Sequence, residues 1–284
     1  MFKKLKIYLD MIKFEHTVFA LPFAFMGAIL PDMGFPSLMT ILYILLAMVG
    51  ARSAGMSLNR LIDAEIDRHN PRTKDRPIQR DLITKSQVCI FTLFNLILFV
   101  FAAYMLNPLA FKLSFVAIGF LVLYPYTKRF TSCAHFFLGV CLSFAPIGGW
   151  IAVKGEFTIV PLLLMLSVLC WVAGFDIIYS LQDIEHDKEH GLFSIPAKFG
   201  AKNALIISRS LHLTMFILLL LVKYKLSLGG FFLAGVILTG AALVYEHSMV
   251  SEKDYSKADA AFFLVNGLIS IMLFIFTLLD VMIT

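Results

Sequence analysis

Acidic residues spaced four positions apart occur at two places in the sequence. Asp63 and Asp67 follow Asn59 at intervals of four, and Asp183 and Asp187 repeat the interval 120 positions later. Residues at this spacing share one face of a helix, where like charges repel unless a cation lies between them. Oxygen ligands of this kind suit Mg²⁺ held together with substrate phosphates. The motifs predict two facing carboxylate sites that share two divalent ions around a diphosphate.

A simpler interpretation treats both charge runs as solvated helix ends at a membrane surface. Each run, however, follows a long apolar segment and is itself followed by basic residues. The equal spacing also suggests an internal duplication, in which Tyr179 takes the position of Asn59. We therefore favour a metal site with five ligands: Asn59, Asp63, Asp67, Asp183 and Asp187.

Other polar residues lie within or beside apolar segments, where charge is expensive and marks a candidate functional site. Asp176 lies about two helical turns before the second motif. Tyr124 and Lys128, four residues apart at the end of another apolar segment, are candidates to grip a diphosphate. Arg52 lies inside an apolar segment. It either binds a ligand carboxylate or pairs with a buried carboxylate, and the sequence leaves both roles open.

The elements that must position these residues follow from composition. Of 284 residues, 60% are hydrophobic and 15% are charged, and the mean hydropathy is +0.86. Soluble domains carry about 25% charged residues, so a water-soluble protein is excluded. Segments near the length of about 20 residues that crosses a bilayer occur nine times, at Phe14–Leu30, Leu38–Leu58, Val88–Leu106, Phe111–Tyr126, Phe136–Val153, Ile159–Leu181, Ala204–Val222, Leu228–Tyr245 and Phe262–Leu279.

The distribution of basic residues sets the expected orientation. With the N-terminus inside, 19 of the 24 Lys and Arg residues fall on the inner side, which fixes a cytoplasmic N-terminus and cytoplasmic acidic motifs. The net charge of +5 therefore reflects topology rather than nucleic-acid binding. We expect an all-α polytopic membrane bundle with cytoplasmic cap loops, forming a single domain over 1–284 with two pseudo-repeated halves. The strong inside bias, with no transit peptide recognised, favours a bacterial cytoplasmic membrane.

Together these motifs resemble those of the UbiA superfamily of intramembrane aromatic prenyltransferases, over essentially the whole chain. The resemblance rests on the motif that begins at Asn59, the run Arg72–Pro77, Tyr124 with Lys128, and the second acidic pair at Asp183. It implies a helical bundle around a cavity that opens sideways into the lipid. It also implies Mg²⁺-dependent transfer of an isoprenoid from an allylic diphosphate to an aromatic ring.

The resemblance also implies roles for individual residues. Mg²⁺ at the two motifs would make the diphosphate a leaving group, with Asp63 and Asp183 central to catalysis. By resemblance, Asp176 activates or orients the acceptor hydroxyl. A cavity lined by some of the 28 phenylalanines would exclude water and stabilise the allylic cation. The growing charge on the diphosphate would be stabilised by four residues: Lys128, Tyr124, Arg72 and Arg76.

The acceptor is less well defined, and 4-hydroxybenzoate is the default expectation. Many members that prenylate 4-hydroxybenzoate have an acidic residue directly after the motif Asn, whereas this chain has Arg60. The segment from Lys13 to Phe23 looks more like relatives that serve menaquinone synthesis with a dihydroxynaphthoate acceptor. A non-enzymatic transporter is the alternative from another class, but its charges should lie near the bilayer centre. No nucleic acid or obligate protein partner is inferred.

Overall fold

The computed structural model describes residues 2–283, apart from the side chains of residues 2, 3, 15, 16 and 18. Glu15 and His16 of the N-terminal motif therefore lie outside the described side chains. Within the described range, every regular element is helical. The α-helices are α1 Phe2–Ile12, α2 Leu21–Ile29, α3 Leu38–Ile62, α4 Ala64–His69, α5 Lys85–Leu106, α6 Pro108–Thr127, α7 Ala134–Lys154, α8 Ile159–Tyr179, α9 Ile184–Glu189, α10 Ile195–Leu226, α11 Gly230–Ser248, α12 Ala258–Ala260 and α13 Asn266–Ile283.

Eight stretches of the described chain are long and apolar enough to cross a membrane. They comprise α3, α5, α6, α7, α8 with its continuation through α9, α10, α11, and α12 with α13. The predicted first segment, Phe14–Leu30, is divided into a 3₁₀ turn, Phe14–Phe19, and the nine-residue α2. Pro22 lies in the first turn of α2, where its missing N–H is tolerated and a new helix can start. The predicted all-α polytopic membrane bundle is confirmed.

The antiparallel helices bring the acidic motifs to one end of the bundle, here called the motif end. There α3, α6 and α8 end, and an ion pair from Lys128 to Asp63 joins the first two of them. At the opposite end, Asn107 donates a hydrogen bond to the Ile151 carbonyl over 2.7 Å. The ion pair between Lys128 and Asp63 shows that segments far apart in sequence are neighbours at the motif end.

Helix α8 is the most enclosed of the long helices, and it carries Asp176. Trp171 of α8 is fully buried, and its indole N–H donates to Asn266 of α13 over 2.7 Å. Ser208 of α10 donates to the Gly174 carbonyl over 2.7 Å. These contacts hold α8 between its neighbours and fix the backbone from which Asp176 projects.

Helices α2 and α7 approach so closely that glycine is required where they cross. A Cβ added at Gly27 would overlap the Pro146 carbonyl, and one added at Gly149 would overlap the Ala24 carbonyl. Both obstacles are backbone atoms, which cannot rotate away. The short α2 is therefore held in the bundle by direct backbone packing.

Replacing Gly149 by alanine should lower stability by about 1–3 kcal/mol, because the added methyl group must force α2 and α7 apart. Gly148→Ala is the matched control, since a Cβ at Gly148 meets no atom within 4 Å. Thermal unfolding in detergent should show a lower melting temperature for the first variant than for the second. Equal melting temperatures would contradict this account of the crossing.

Candidate active site

A cavity of about 1060 Å³ opens at the motif end between α3, α6, α7 and α8. Apolar side chains such as Ile44, Leu113 and Phe144 line its deeper part. Its mouth is charged, so the cavity suits a ligand with an anionic head and an apolar tail. All the predicted site residues line it: Arg52, Asn59, Asp63, Asp67, Arg72, Arg76, Tyr124, Lys128, Asp176, Asp183 and Asp187.

The first acidic motif bends at Asp63 instead of continuing α3 as the sequence suggested. Asp63 has φ −91° and ψ 3°, so α3 ends at Ile62 and the short α4 begins at the next residue. Asn59 still lies beside Asp63 and donates from Nδ2 to its Oδ2 over 2.9 Å. The bend gives Asp67 its own element, from which it pairs with Arg76.

Two cations from the end of α6 neutralise Asp63. Lys128 Nζ lies 2.8 Å from Oδ2, and Arg129 Nη2 lies 3.3 Å from Oδ1. Arg129 also donates to the Ile62 carbonyl over 2.9 Å, which closes the end of α3. Asp63 is 2% exposed, and this burial raises its pKa, while the charge of Lys128 opposes the rise.

The loop after the first motif reaches across the mouth to the second motif. Arg72 holds Asp183 through both oxygens, with Nη2 to Oδ2 at 2.6 Å and Nε to Oδ1 at 3.1 Å. Asn70 also donates to Asp183 Oδ1, over 3.0 Å. Burial alone would lower the pKa of Arg72, but its hydrogen bond and ion pair with Asp183 outweigh burial and raise it. Arg72 donates further to the Tyr179 hydroxyl over 2.8 Å.

The structure therefore pairs the acidic residues with the basic residues predicted to bind a diphosphate. Asp187 has a neutral partner, because Ser194 Oγ donates to it over 2.7 Å. Among the described residues, no three His, Cys, Asp or Glu side chains are placed as a ready-made metal centre. The donor set of carboxylate and amide oxygens nevertheless fits Mg²⁺. A metal and an anionic ligand would enter this site by taking over existing ion pairs.

Several polar residues of the site escaped the sequence reasoning. His135 of α7 places Nδ1 2.7 Å from Asp176 Oδ2. Arg60, which the sequence marked only as a difference from relatives with an acid at this position, is 7% exposed. It donates hydrogen bonds to the Met11 carbonyl and to Asn59 Oδ1. Asn70 and Ser194 each contact a motif carboxylate. No spacing rule indicates the pairs of His135 with Asp176 and of Asn70 with Asp183, because they are 41 and 113 positions apart.

Fold and site together define a polytopic membrane protein with one end of its cavity charged and the other apolar. The sequence model of the UbiA prenyltransferase family matches residues 20–268, and the chain belongs to that family. The resemblance found in the motifs is confirmed, and the protein is a prenyltransferase of this family.

Known proteins resemble the chain over most of its length. The 4-hydroxybenzoate octaprenyltransferase of Vibrio atlanticus (strain LGP32) is 28% identical, over 81% of this chain and 80% of that protein. The apo structure of a UbiA homolog from Aeropyrum pernix K1 is 32% identical with a TM-score of 0.86, covering 94% of this chain and 98% of the other. A UbiA homolog from Archaeoglobus fulgidus, bound to DMAPP and Mg²⁺, shares the fold at 19% identity and a TM-score of 0.73, covering 98% and 99%.

Proposed function

We propose that this protein transfers a polyprenyl group from an allylic polyprenyl diphosphate to an aromatic acid, with 4-hydroxybenzoate as the first candidate. The main support for this proposal is the cavity, because its charged mouth fits a diphosphate and its apolar inner part fits an isoprenoid chain. The name of the Vibrio relative supports the benzoate acceptor. The DMAPP and Mg²⁺ in the Archaeoglobus structure support an allylic diphosphate and a magnesium requirement.

The acidic motifs would hold two Mg²⁺ ions, which neutralise the diphosphate and make it a leaving group. Asn59, Asp63 and Asp67 supply oxygens from one side of the mouth, and Asp183 and Asp187 supply them from the other. The cationic side chains that form ion pairs with these carboxylates would then bind the diphosphate oxygens. Lys128, Arg72 and Arg76 stabilise the negative charge that grows as the C–O bond breaks, and Tyr124 donates a hydrogen bond.

Aromatic side chains in the wall of the cavity suit the allylic cation that remains after the C–O bond breaks. Phe19, Phe175 and Phe262 all line the cavity. Their ring centroids lie 5.3–6.1 Å apart. Aromatic faces attract a cation, and an apolar wall keeps water from quenching it. Asp176, which lines the same cavity, orients or deprotonates the acceptor hydroxyl.

The same chemistry on a dihydroxynaphthoate acceptor is the second candidate. The segment from Lys13 to Phe23 supports it by resemblance, and Arg60 weakens the case for 4-hydroxybenzoate because it stands where many relatives that prenylate that acceptor have an acid. Arg60 bonds Asn59 of the metal motif and lines the cavity. We further propose that the motif end faces the cytoplasm of a bacterial cell, with the N-terminus inside.

The function is tested by incubating the purified protein in lipid with Mg²⁺, a long-chain polyprenyl diphosphate, 4-hydroxybenzoate and 1,4-dihydroxy-6-naphthoate. Mass spectrometry then identifies the products. A prenylated benzoate supports the first candidate, and a prenylated naphthoate supports the second. Formation of neither product would overturn the assignment of an aromatic acid acceptor.

Arg52 is the proposed partner of the acceptor carboxylate, since it lines the cavity on α3 between the motif end and the apolar depth. Arg52→Leu should raise the KM for the acceptor by about 10–100-fold, because a charged hydrogen bond contributes about 1.5–3 kcal/mol. The KM for the diphosphate should stay unchanged. Arg209→Leu, at an exposed position on α10, is the control. A loss of thermal stability with an unchanged acceptor KM would instead show that Arg52 pairs with a buried carboxylate.

A further inference from the structure

His135 is the hydrogen-bond partner that the structure gives to Asp176. Its Nδ1 lies 2.7 Å from Asp176 Oδ2, across the contact between α7 and α8. The His135 side chain is 4% exposed and that of Asp176 is 19% exposed, and both line the cavity. One carboxylate oxygen of Asp176 is thus held by the imidazole, while the rest of the group remains accessible from the cavity.

The other ring nitrogen of His135 is held by the beginning of α10. The backbone N–H of Ile195, the first residue of that helix, donates to Nε2 over 3.3 Å. A nitrogen that accepts a hydrogen bond carries no proton, so neutral His135 carries its proton on Nδ1 and donates it to Asp176.

The beginning of α10 connects this pair to the second acidic motif. Ser194 caps α10 by accepting from the Ala197 N–H over 3.3 Å, and it donates to Asp187 over 2.7 Å. Ser194 therefore holds Asp187, and the next residue, Ile195, holds Asp176 through His135. Apolar side chains would join α7, α8 and α10 at a lower cost than buried polar groups. This series of buried hydrogen bonds is better explained by a need to orient the Asp176 carboxylate.

We propose that His135 is a positioning residue that aims Asp176 at the acceptor hydroxyl and fixes it as a hydrogen-bond acceptor. This inference rests on the proposed function. In that reaction, the allylic C–O bond breaks and its electron pair leaves on the diphosphate, and a ring carbon then bonds to the allylic cation. The hydroxyl proton passes to Asp176. The ring proton is then lost from the substituted carbon to the departing diphosphate, and Asp176 returns its proton to the oxygen as the ring regains aromaticity.

Two substitutions separate positioning from packing. His135→Ala removes the donor to Asp176 and should lower kcat/KM for the acceptor by about 10²-fold, the loss that follows misplacement of a reacting group. His135→Asn retains an N–H near the position of Nδ1 and should recover most of this loss. Ser143→Ala, at a buried position on α7 whose hydroxyl bonds within its own helix, is the control for loosened packing.

Binding of the diphosphate provides the second readout. Calorimetric titration with Mg²⁺ and a non-reactive thiolodiphosphate analogue should give the same affinity for wild type and both His135 variants. If His135→Asn transfers no better than His135→Ala while both bind the analogue, the positioning role is wrong. The role is also wrong if His135→Ala transfers as well as wild type.

A spectroscopic measurement separates this inference from the proposed function. The ¹⁵N spectrum of histidine-labelled protein, assigned by the signal lost in His135→Asn, should show a neutral imidazole protonated at Nδ1. Protonation at Nε2 would overturn the inference even in an active enzyme. A wild-type enzyme that prenylates no aromatic acid would instead overturn the proposed function, whatever tautomer is found.

Discussion

Replacing Asp63 or Asp183 by asparagine should reduce prenyl transfer by about 10³-fold or more, because each variant removes a charged oxygen ligand and part of the site's electrostatic stabilisation. Asparagine has nearly the same shape as aspartate, so the helices around the cavity should pack as before. The two residues lie on opposite sides of the mouth, bound to Lys128 and Arg72 respectively. Initial rates of radiolabelled product formation in lipid measure the effect.

The control for these variants lies at the other end of the bundle. Asp32 forms an ion pair with Lys154 far from the motif end, and its side chain is 56% exposed. Asp32→Asn should retain wild-type activity, since exposed ion pairs contribute about 0–1 kcal/mol. Retention of more than a tenth of wild-type activity by either site variant, with normal membrane insertion, would show that the site is assigned to the wrong residues.

Removal of Mg²⁺ with EDTA should abolish transfer without lowering the melting temperature. Activity is lost because the diphosphate needs divalent charge to become a leaving group. Stability is retained because Asp63, Asp67 and Asp183 each form an ion pair with a basic side chain of the protein. Differential scanning fluorimetry and the transfer assay on the same sample would measure both properties.

Restoring Mg²⁺ in excess of EDTA should return full activity, which controls for damage by the chelator. Transfer that continues in EDTA would contradict a metal requirement. A marked fall in melting temperature would show that the acidic motifs depend on the ion for folding, and that the ion pairs described above do not neutralise them adequately.

Much of the fold follows from the sequence, because long apolar segments have few structures available to them in a bilayer. A spanning backbone must satisfy its own hydrogen bonds, which makes a helix almost obligatory. The location of the acidic motifs at helix ends follows for the same reason. The division of the first segment near Pro22 was not anticipated, although the polar residues Glu15, His16 and Thr17 lie in the turn that precedes α2.

The site was only partly predictable, since the sequence identifies chemical groups but not their partners. The spacing of Asp63 and Asp67 indicated a shared helix face, yet the backbone bends at Asp63. The pairing of Arg72 with Asp183 spans 111 positions, and no local pattern encodes it. The roles assigned to these residues stay predictions until the variants are measured.

The apolar depth of the cavity has a consequence for the surroundings of the protein. A space of about 1060 Å³ lined by side chains such as Leu113 and Phe144 will not stay empty beside fluid hydrocarbon. Because the family resemblance implies a sideways opening into the lipid, we expect lipid acyl chains or detergent tails to fill it whenever the isoprenoid is absent. Substrate entry is then an exchange of one chain for another, so the apparent KM for the diphosphate will depend on which lipids compete for the same space.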